Sequence, residues 1–278
     1  MKIVCIDSFK EEYLEYAPYL KSLTEKYQYG SLKVPVGFWG GMETFSKGNS
    51  DILAFFYYSE NSSLRWTKYF RFLGKFLLNC LINSIRLIKG EQLFYTYDIP
   101  LNKLYIFDTA VKKKLNFGKD YLRIGDDLDK IAHKYGTKSD EVKNCVKKND
   151  DRLRKMDFDL IMSDHGMVDV KETIEVPFSN KCLIDSTLAR YWGNVDEIKK
   201  KLPLKKGKII NWNKKYGDLI FLANPGVLIF PNSRQKKVSD KAMHGYDKQC
   251  NGFYIVKKEN KRKNLDMKGL HKIAFNSS

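Results

Sequence analysis

The chain has 278 residues and only four histidines, three of which sit in short acidic or glycine-bounded segments. These are Asp129-Lys130-Ile131-Ala132-His133, Ser163-Asp164-His165-Gly166-Met167 and Met243-His244-Gly245-Tyr246-Asp247. Histidine is the commonest metal ligand, and Asp/His sets suit zinc and its neighbours. Asp129 and His133 are four apart, which puts both on one face of a helical turn. Asp164-His165 places a hard oxygen beside an imidazole, and Gly166 is expected to let the backbone turn so that both face one site.

The patterns around these segments are those of an α/β sheet. Residues 2–6 are an apolar run ending at Asp7-Ser8, followed by Tyr13, Leu14, Ala17, Leu20, Leu23 and Tyr27 at helical spacing. Ligands of open α/β sheets bind outside the carboxyl ends of the strands, so Asp7 stands where a ligand belongs. Phe158 to Ser163 is a buried-strand pattern that delivers Asp164-His165 in the same way. Gly37 to Gly48 is a glycine-punctuated turn opening a helix, and residues 137–156 form another helix, with Ser139 and the acids after it as its start. Leu104 to Phe107 reads as a strand or a connection. Residues 218–222 and 226–230 read as a hairpin or two short strands about Asn224-Pro225, and Phe253 to Val256 as a last strand.

Composition narrows the setting. A hydrophobic content of 43% over this length suffices for one large core with a small inserted subdomain. A net charge of +17 points to an anionic partner: phosphate esters, nucleic acid or an acidic membrane surface. Runs such as Lys112-Lys113-Lys114 and Lys199-Lys200-Lys201 read as solvated surface, so charge alone does not argue for nucleic acid. Five cysteines with no CxxC suggest reduced thiols and a cytoplasmic protein. The N-terminus runs directly into a strand pattern and does not read as a signal peptide, and no long uncharged apolar stretch marks a membrane span. Residues 68–90 mix Phe70, Leu73, Phe76, Leu77, Cys80, Leu81, Ile85 and Leu87 with Lys68, Arg71, Lys75, Arg86 and Lys89. They read either as a core-facing helix or small cap, or as a helix lying on an anionic membrane.

Taken together, the motifs resemble the alkaline phosphatase superfamily, in its type I phosphodiesterase/nucleotide pyrophosphatase branch. The resemblance runs from Ile3-Val4-Cys5-Ile6-Asp7 through Leu128 to Gly136 and Ile161 to Met167, and ends at Met243 to Asp247; Ile184 to Trp192 also looks like segments of some members. It implies an α/β fold: an alkaline-phosphatase-like three-layer sandwich with a central, mostly parallel sheet flanked by helices. The whole chain, 1–278, would be a single catalytic domain with a small inserted cap or surface helix at about 65–100. It implies two divalent metal ions, zinc by the mixed N/O ligands, with manganese or iron as alternatives. Asp7, Asp164 and His165 would hold one, and Asp129, His133 and His244 the other. His271, near the basic C-terminus, is expected at the surface.

The family places a Ser or Thr nucleophile at a helix N-terminus between the first aspartate and the second metal motif, where the helix dipole favours phosphate. Two rulers disagree here. Counted from Asp7, the nucleophile is Thr44, with Ser46 as a weaker choice. Counted back from Gly48, it falls near Phe38 or Trp39, neither of which can attack phosphorus. The nucleophile is therefore Thr44, or else it is absent and water attacks. Phe38 and Trp39 lie either beside the site, stacking on a substrate ring, or in ordinary core. Arg190 either contacts the substrate phosphate through its planar guanidinium or serves as a structural ion-pair partner.

The expected function is a two-metal-dependent hydrolase of phosphate esters, a phosphodiesterase or nucleotide pyrophosphatase, acting by in-line attack of a metal-activated Thr or water on phosphorus. The alternatives are a degenerate metal-binding member that recognises a phosphorylated glycan, lipid or nucleotide, and a phosphoryl or headgroup transferase at a membrane surface. The localisation expected is cytoplasmic, with peripheral contact at the inner membrane face as an option. No Cys/Ser-x-Pro-x-Arg motif is present, which argues against sulfatase chemistry.

Overall fold

The computed structural model describes residues 1–93, 99, 102–235 and 237–275, so part of the 65–100 segment lies outside the described residues. In chain order the elements are β1 (Ile3–Ile6), α1 (Pro18–Thr24), β2 (Gln28–Lys33), α2 (Gly40–Lys47), β3 (Phe56–Tyr58), α3 (Gly74–Ile88), β4 (Phe107–Thr109) and β5 (Tyr121–Ile124). There follow α4 (Asp126–Tyr135), α5 (Asp140–Leu153), β6 (Leu160–Met162), β7 (Val168–Asp169), β8 (Glu172–Ile174), β9 (Cys182–Ile184), β10 (Leu188–Tyr191) and α6 (Asp196–Lys201). The last are β11 (Gly207–Ile209), β12 (Leu219–Ala223), β13 (Val227–Ile229), β14 (Ala242–Met243), β15 (Gly252–Val256), β16 (Leu265–Asp266) and α7 (Met267–Phe275). They fall into two compact units. The first comprises residues 1–50, 116–171 and 239–278, and the second 51–115 and 172–238.

The first unit is a three-layer α/β structure around a six-stranded sheet of order β16-β2-β15-β6-β1-β5. All of its strands run the same way except β15, which is antiparallel to both β6 and β2. Period-2 alternation along the strands sets the layers. Val4, Ile6, Ile124, Ile161, Phe253 and Ile255 face Leu20 and Leu23 of α1, Leu128 and Ala132 of α4, and Val142, Val146 and Leu153 of α5. Ile3, Cys5, Leu160, Met162, Tyr254 and Val256 face the other way, onto Phe45 of α2 and Met267 and Leu270 of α7. Both faces of the central strands are thus covered, which explains their unbroken apolar runs.

Local chemistry fixes several boundaries. The helical spacing over 13–27 is divided at Ala17: a 3-10 turn over Glu11–Tyr16 precedes α1, which starts with Pro18 in its first turn. Proline has no N–H to continue a helix but suits a helix start. Ser139 caps α5, its hydroxyl accepting from the Val142 N–H at 3.2 Å, as the sequence suggested.

The second unit has a four-stranded antiparallel sheet, β11-β12-β10-β9, with the pairs β8/β13 and β3/β4. Here β12 and β13 are two short strands and not a hairpin, because β12 pairs with β10 and β11 while β13 pairs in parallel with β8. The 68–90 segment belongs to this unit and forms 3-10 turns followed by α3. Among the described residues no helix is long and apolar enough to cross a membrane.

Candidate metal centre

Four chain segments meet in the first unit at the carboxyl ends of β1 and β6. Asp7 directly follows β1, and Asp164 and His165 follow β6 after Ser163. Asp129 and His133 lie one turn apart on α4. His244 comes from β14, whose Met243 is paired with Val168 of β7 just past His165. That pairing lays the His244 imidazole flat on the ring of His165, centroids 3.8 Å apart and planes at 11°.

The six residues sort into two groups, Asp7/Asp164/His165 and Asp129/His133/His244, each offering ligand atoms within 4.8 Å of one another. These are the two sets that the family resemblance implied. The hydrogen bonds suit metal binding. His133 donates Nδ1–H to the Ala242 carbonyl at 2.8 Å, leaving Nε2 to face Asp129 Oδ1 at 3.6 Å. His165 has Nδ1 3.2 Å from the Gly166 carbonyl, and its Nε2 faces Asp164 Oδ2 at 3.6 Å and Asp7 Oδ1 at 3.7 Å. A histidine held through one nitrogen by a carbonyl presents the other as a metal ligand. Asp7 Oδ1 is buried and accepts no hydrogen bond, an uncommon state that a cation would relieve. The donor chemistry of both groups therefore fits a divalent ion.

Two further residues complete the site. The Ser8 hydroxyl donates to Asp129 Oδ1 at 2.7 Å and lies 3.2 Å from His165 Nδ1, linking one group to the other. Ser8 is fully buried, and its φ of 58° is held in the left-handed region by an N–H bond to Asp164 Oδ1. Arg123, on β5, reaches Asp7 Oδ2 at 2.5 Å and Asp164 Oδ2 at 3.1 Å. The sequence reading missed both. Ser8 was visible only as the neighbour of Asp7, and Arg123 as a lone cation in the strand run Tyr121-Leu122-Arg123-Ile124.

The electrostatics follow from burying like charges together. Burial and then the charge of Asp164 raise the Asp7 carboxyl from 3.8 to about 7. Burial also pushes Asp164 up, but the charges of His165 and Arg123 outweigh it and hold that carboxyl low. Burial lowers the His165 imidazole, yet Asp164 and Asp7 together raise it above its ordinary value.

No protein-family model and no curated protein matches the sequence. Solved structures do. Murine ectonucleotide pyrophosphatase/phosphodiesterase 5 matches with a TM-score of 0.64 at 15% identity, over 98% of this chain and 92% of that one. An inactive form of the murine protein in complex with AMP gives 0.63, and the human protein 0.62, with the same identity and coverage. The fold is that of an ectonucleotide pyrophosphatase/phosphodiesterase. The superfamily resemblance read from the motifs thus holds at the level of fold, and at 15% identity the site's chemistry rests on its own residues.

The remaining expected site residues are placed as follows. Thr44 is in the second turn of α2, buried, with its hydroxyl donated to the Gly40 carbonyl at 2.6 Å. Ser46 donates to the Asn116 carbonyl at 2.8 Å. The N-terminus of α2 is Trp39-Gly40-Gly41, with no side-chain cap. A Cβ on Gly41 would meet the Asp164 carbonyl oxygen at 3.3 Å, so this helix end packs directly on the first metal group. Phe38 just ahead of it is half-buried, with its ring edge-on to His244 at 5.2 Å. Trp39 is also half-buried.

Arg190 lies in the second unit and is 1% exposed, its guanidinium bonded to the Phe56 carbonyl and paired with Asp185 at 3.3 Å. Of its two readings, this geometry is the structural ion pair. Asp164 and His165 face one site, as expected of a turn at Gly166, where a Cβ would collide with the Asn251 carbonyl. One expectation needs correcting. His271 is half-buried with Nδ1 2.7 Å from the Phe45 carbonyl, near the end of α2, and does not stand free at the surface.

Proposed function

We propose that this chain is a two-metal-dependent hydrolase of phosphate esters, with diesters or pyrophosphates preferred. The observation that carries the reading is the pair of Asp/His groups, joined through Ser8, in a chain with the fold of a nucleotide pyrophosphatase/phosphodiesterase. One of the similar structures holds AMP, a phosphate ester. When bound, divalent ions would supply Lewis acidity toward the phosphoryl group and the attacking water; zinc suits the mixed nitrogen and oxygen donors.

The chain's own residues have definite tasks. Asp7, Asp164 and His165 would hold one ion, and Asp129, His133 and His244 the other. The Gly166 and Ala242 carbonyls fix the tautomers of His165 and His133, so that Nε2 of each keeps its lone pair. The uncapped N–H groups at the start of α2 receive the phosphoryl oxygens, with the positive end of the helix dipole behind them. Phe38 closes the His244 side against water. The oxygen of water adds to phosphorus, the ester P–O bond breaks toward the leaving alkoxide, and the proton lost by water ends on that alkoxide. Water is the preferred nucleophile because the Thr44 hydroxyl is spent on the Gly40 carbonyl within its own helix.

One observation favours the non-catalytic alternative, a phosphate-ester binder: Arg123 lies across both carboxylates of the first group. Turnover separates the two. Purified protein given Zn²⁺ or Mn²⁺ should cleave bis-p-nitrophenyl phosphate or thymidine 5′-p-nitrophenyl phosphate. Absence of turnover on both with two ions bound would leave the binding reading in its place.

A further inference from the structure

In the second unit, residues 61–90 contain six Lys/Arg and no Asp or Glu, in a chain that has 33 acidic residues. The same stretch contains half of the exposed large hydrophobic residues among the described ones: Tyr69, Phe70, Phe72, Phe76, Leu77, Leu81, Leu87 and Ile88. On α3, Leu78, Ile82 and Arg86 repeat every four residues and are buried. Arg86 is held there by bonds to the Thr109 hydroxyl and the Gln92 and Val111 carbonyls, and by a 3.0 Å pair with Glu91. The helix is therefore anchored by one face. Its other face carries large apolar side chains that gain nothing from water, Phe76 being 74% and Ile88 86% exposed.

We propose that α3 and the turns before it form a docking surface for an anionic lipid bilayer. An apolar stretch that also carries Lys68, Lys75 and Lys89, with the nearby acid Glu91 paired to Arg86, matches what an interface between lipid headgroups and acyl chains accepts. Fifteen residues of helix span roughly 22 Å, less than the roughly 30 Å of a hydrocarbon core, so the helix lies along the surface and does not cross it. Charge selects this occupant over a second copy of the chain. A two-fold contact would set the same cationic patch against itself. The inference is independent of the phosphoesterase reading.

Of the five cysteines only Cys80 is exposed, and it lies on α3, so the intact protein carries its own reporter position. An environment-sensitive fluorophore on Cys80 should shift to the blue with vesicles containing about 30% phosphatidylserine. Flotation should show at least tenfold stronger binding to them than to pure phosphatidylcholine, weakening as salt rises. Phe72→Ser/Phe76→Ser/Ile88→Ser changes only exposed side chains and should cut binding at least tenfold with the thermal melt unchanged. No flotation at low salt, or equal binding to neutral vesicles, overturns the proposal. So does a concentration-dependent shift of the Cys80 label without lipid, which would assign the surface to self-association.

Discussion

Asp7 makes the metal-free protein sensitive to pH in a direction opposite to most carboxylates. Its folded-state carboxyl titrates near 7, against an ordinary 3.8, because it is buried beside Asp164. Between these values the folded chain holds a proton that the unfolded chain has released. Stability falls with rising pH wherever the folded state binds more protons. The contribution of Asp7 is therefore complete below about pH 4 and is lost as pH rises through about 7. Three pK units at about 1.4 kcal/mol each amount to about 4 kcal/mol, or on the order of 10 °C in Tm for a chain of this size. Asp7→Asn keeps the shape and removes the titration. In EDTA, melts of wild type and variant should agree near pH 4 and diverge as pH rises, most of the difference being reached by about pH 7, the variant becoming the more stable. A divalent ion added at pH 8 should restore the wild type more than the variant, because the ion replaces the proton as the cation that Asp7 lacks. Parallel stability curves from pH 4 to 8 would refute the reasoning.

Three other outcomes follow from the same geometry. Arg123→Met removes the cation that bridges Asp7 and Asp164. Calorimetric titration should show Mn²⁺ binding to that group about 10–100-fold tighter, the usual scale for residues that support metal ligands, and unchanged affinity would remove Arg123 from the metal balance. Thr44→Val breaks only the bond to the Gly40 carbonyl. Its cost should be about 1 kcal/mol in urea unfolding, with phosphodiesterase activity within about twofold of wild type; loss of activity would restore Thr44 as the nucleophile. Arg190→Leu leaves Asp185 buried without its partner and should destabilise by about 3–5 kcal/mol, while KM of the protein that remains folded is unchanged.

What the sequence made legible was what short-range patterns encode. The acids at the ends of β1 and β6 follow from apolar runs that stop at a charged residue, and Asp129/His133 from helical spacing. Arg123 escaped because its role depends on the register of β5 against β1, which sets it opposite Cys5, and no local pattern specifies a parallel pairing across more than a hundred residues. His271 escaped for the same reason, since its partner, the Phe45 carbonyl, lies at the far end of the chain. The separation of β12 from β13 was equally invisible, because neighbours in sequence pair only when no other edge takes them.

The two rulers for the nucleophile show why one kind of spacing deserves more weight than another. Counting forward from Asp7 crosses a 3-10 turn, α1, β2 and the connections between them, whose lengths vary freely because loops on a surface tolerate insertion at little cost. Counting back from Gly48 crosses one helix, whose length is fixed at both ends. Gly48 sits at φ 79°, where its N–H closes on the Thr44 carbonyl at 2.8 Å and a side chain would meet His271. The helix therefore ends at that residue and begins at Gly40, and the place ahead of its first turn falls to Phe38 and Trp39. The second ruler is the one tied to hydrogen bonds. It puts two aromatic rings where a hydroxyl was sought, which supports the proposed attack by water over attack by Thr44, and the Thr44→Val measurement will accept or reject that proposal.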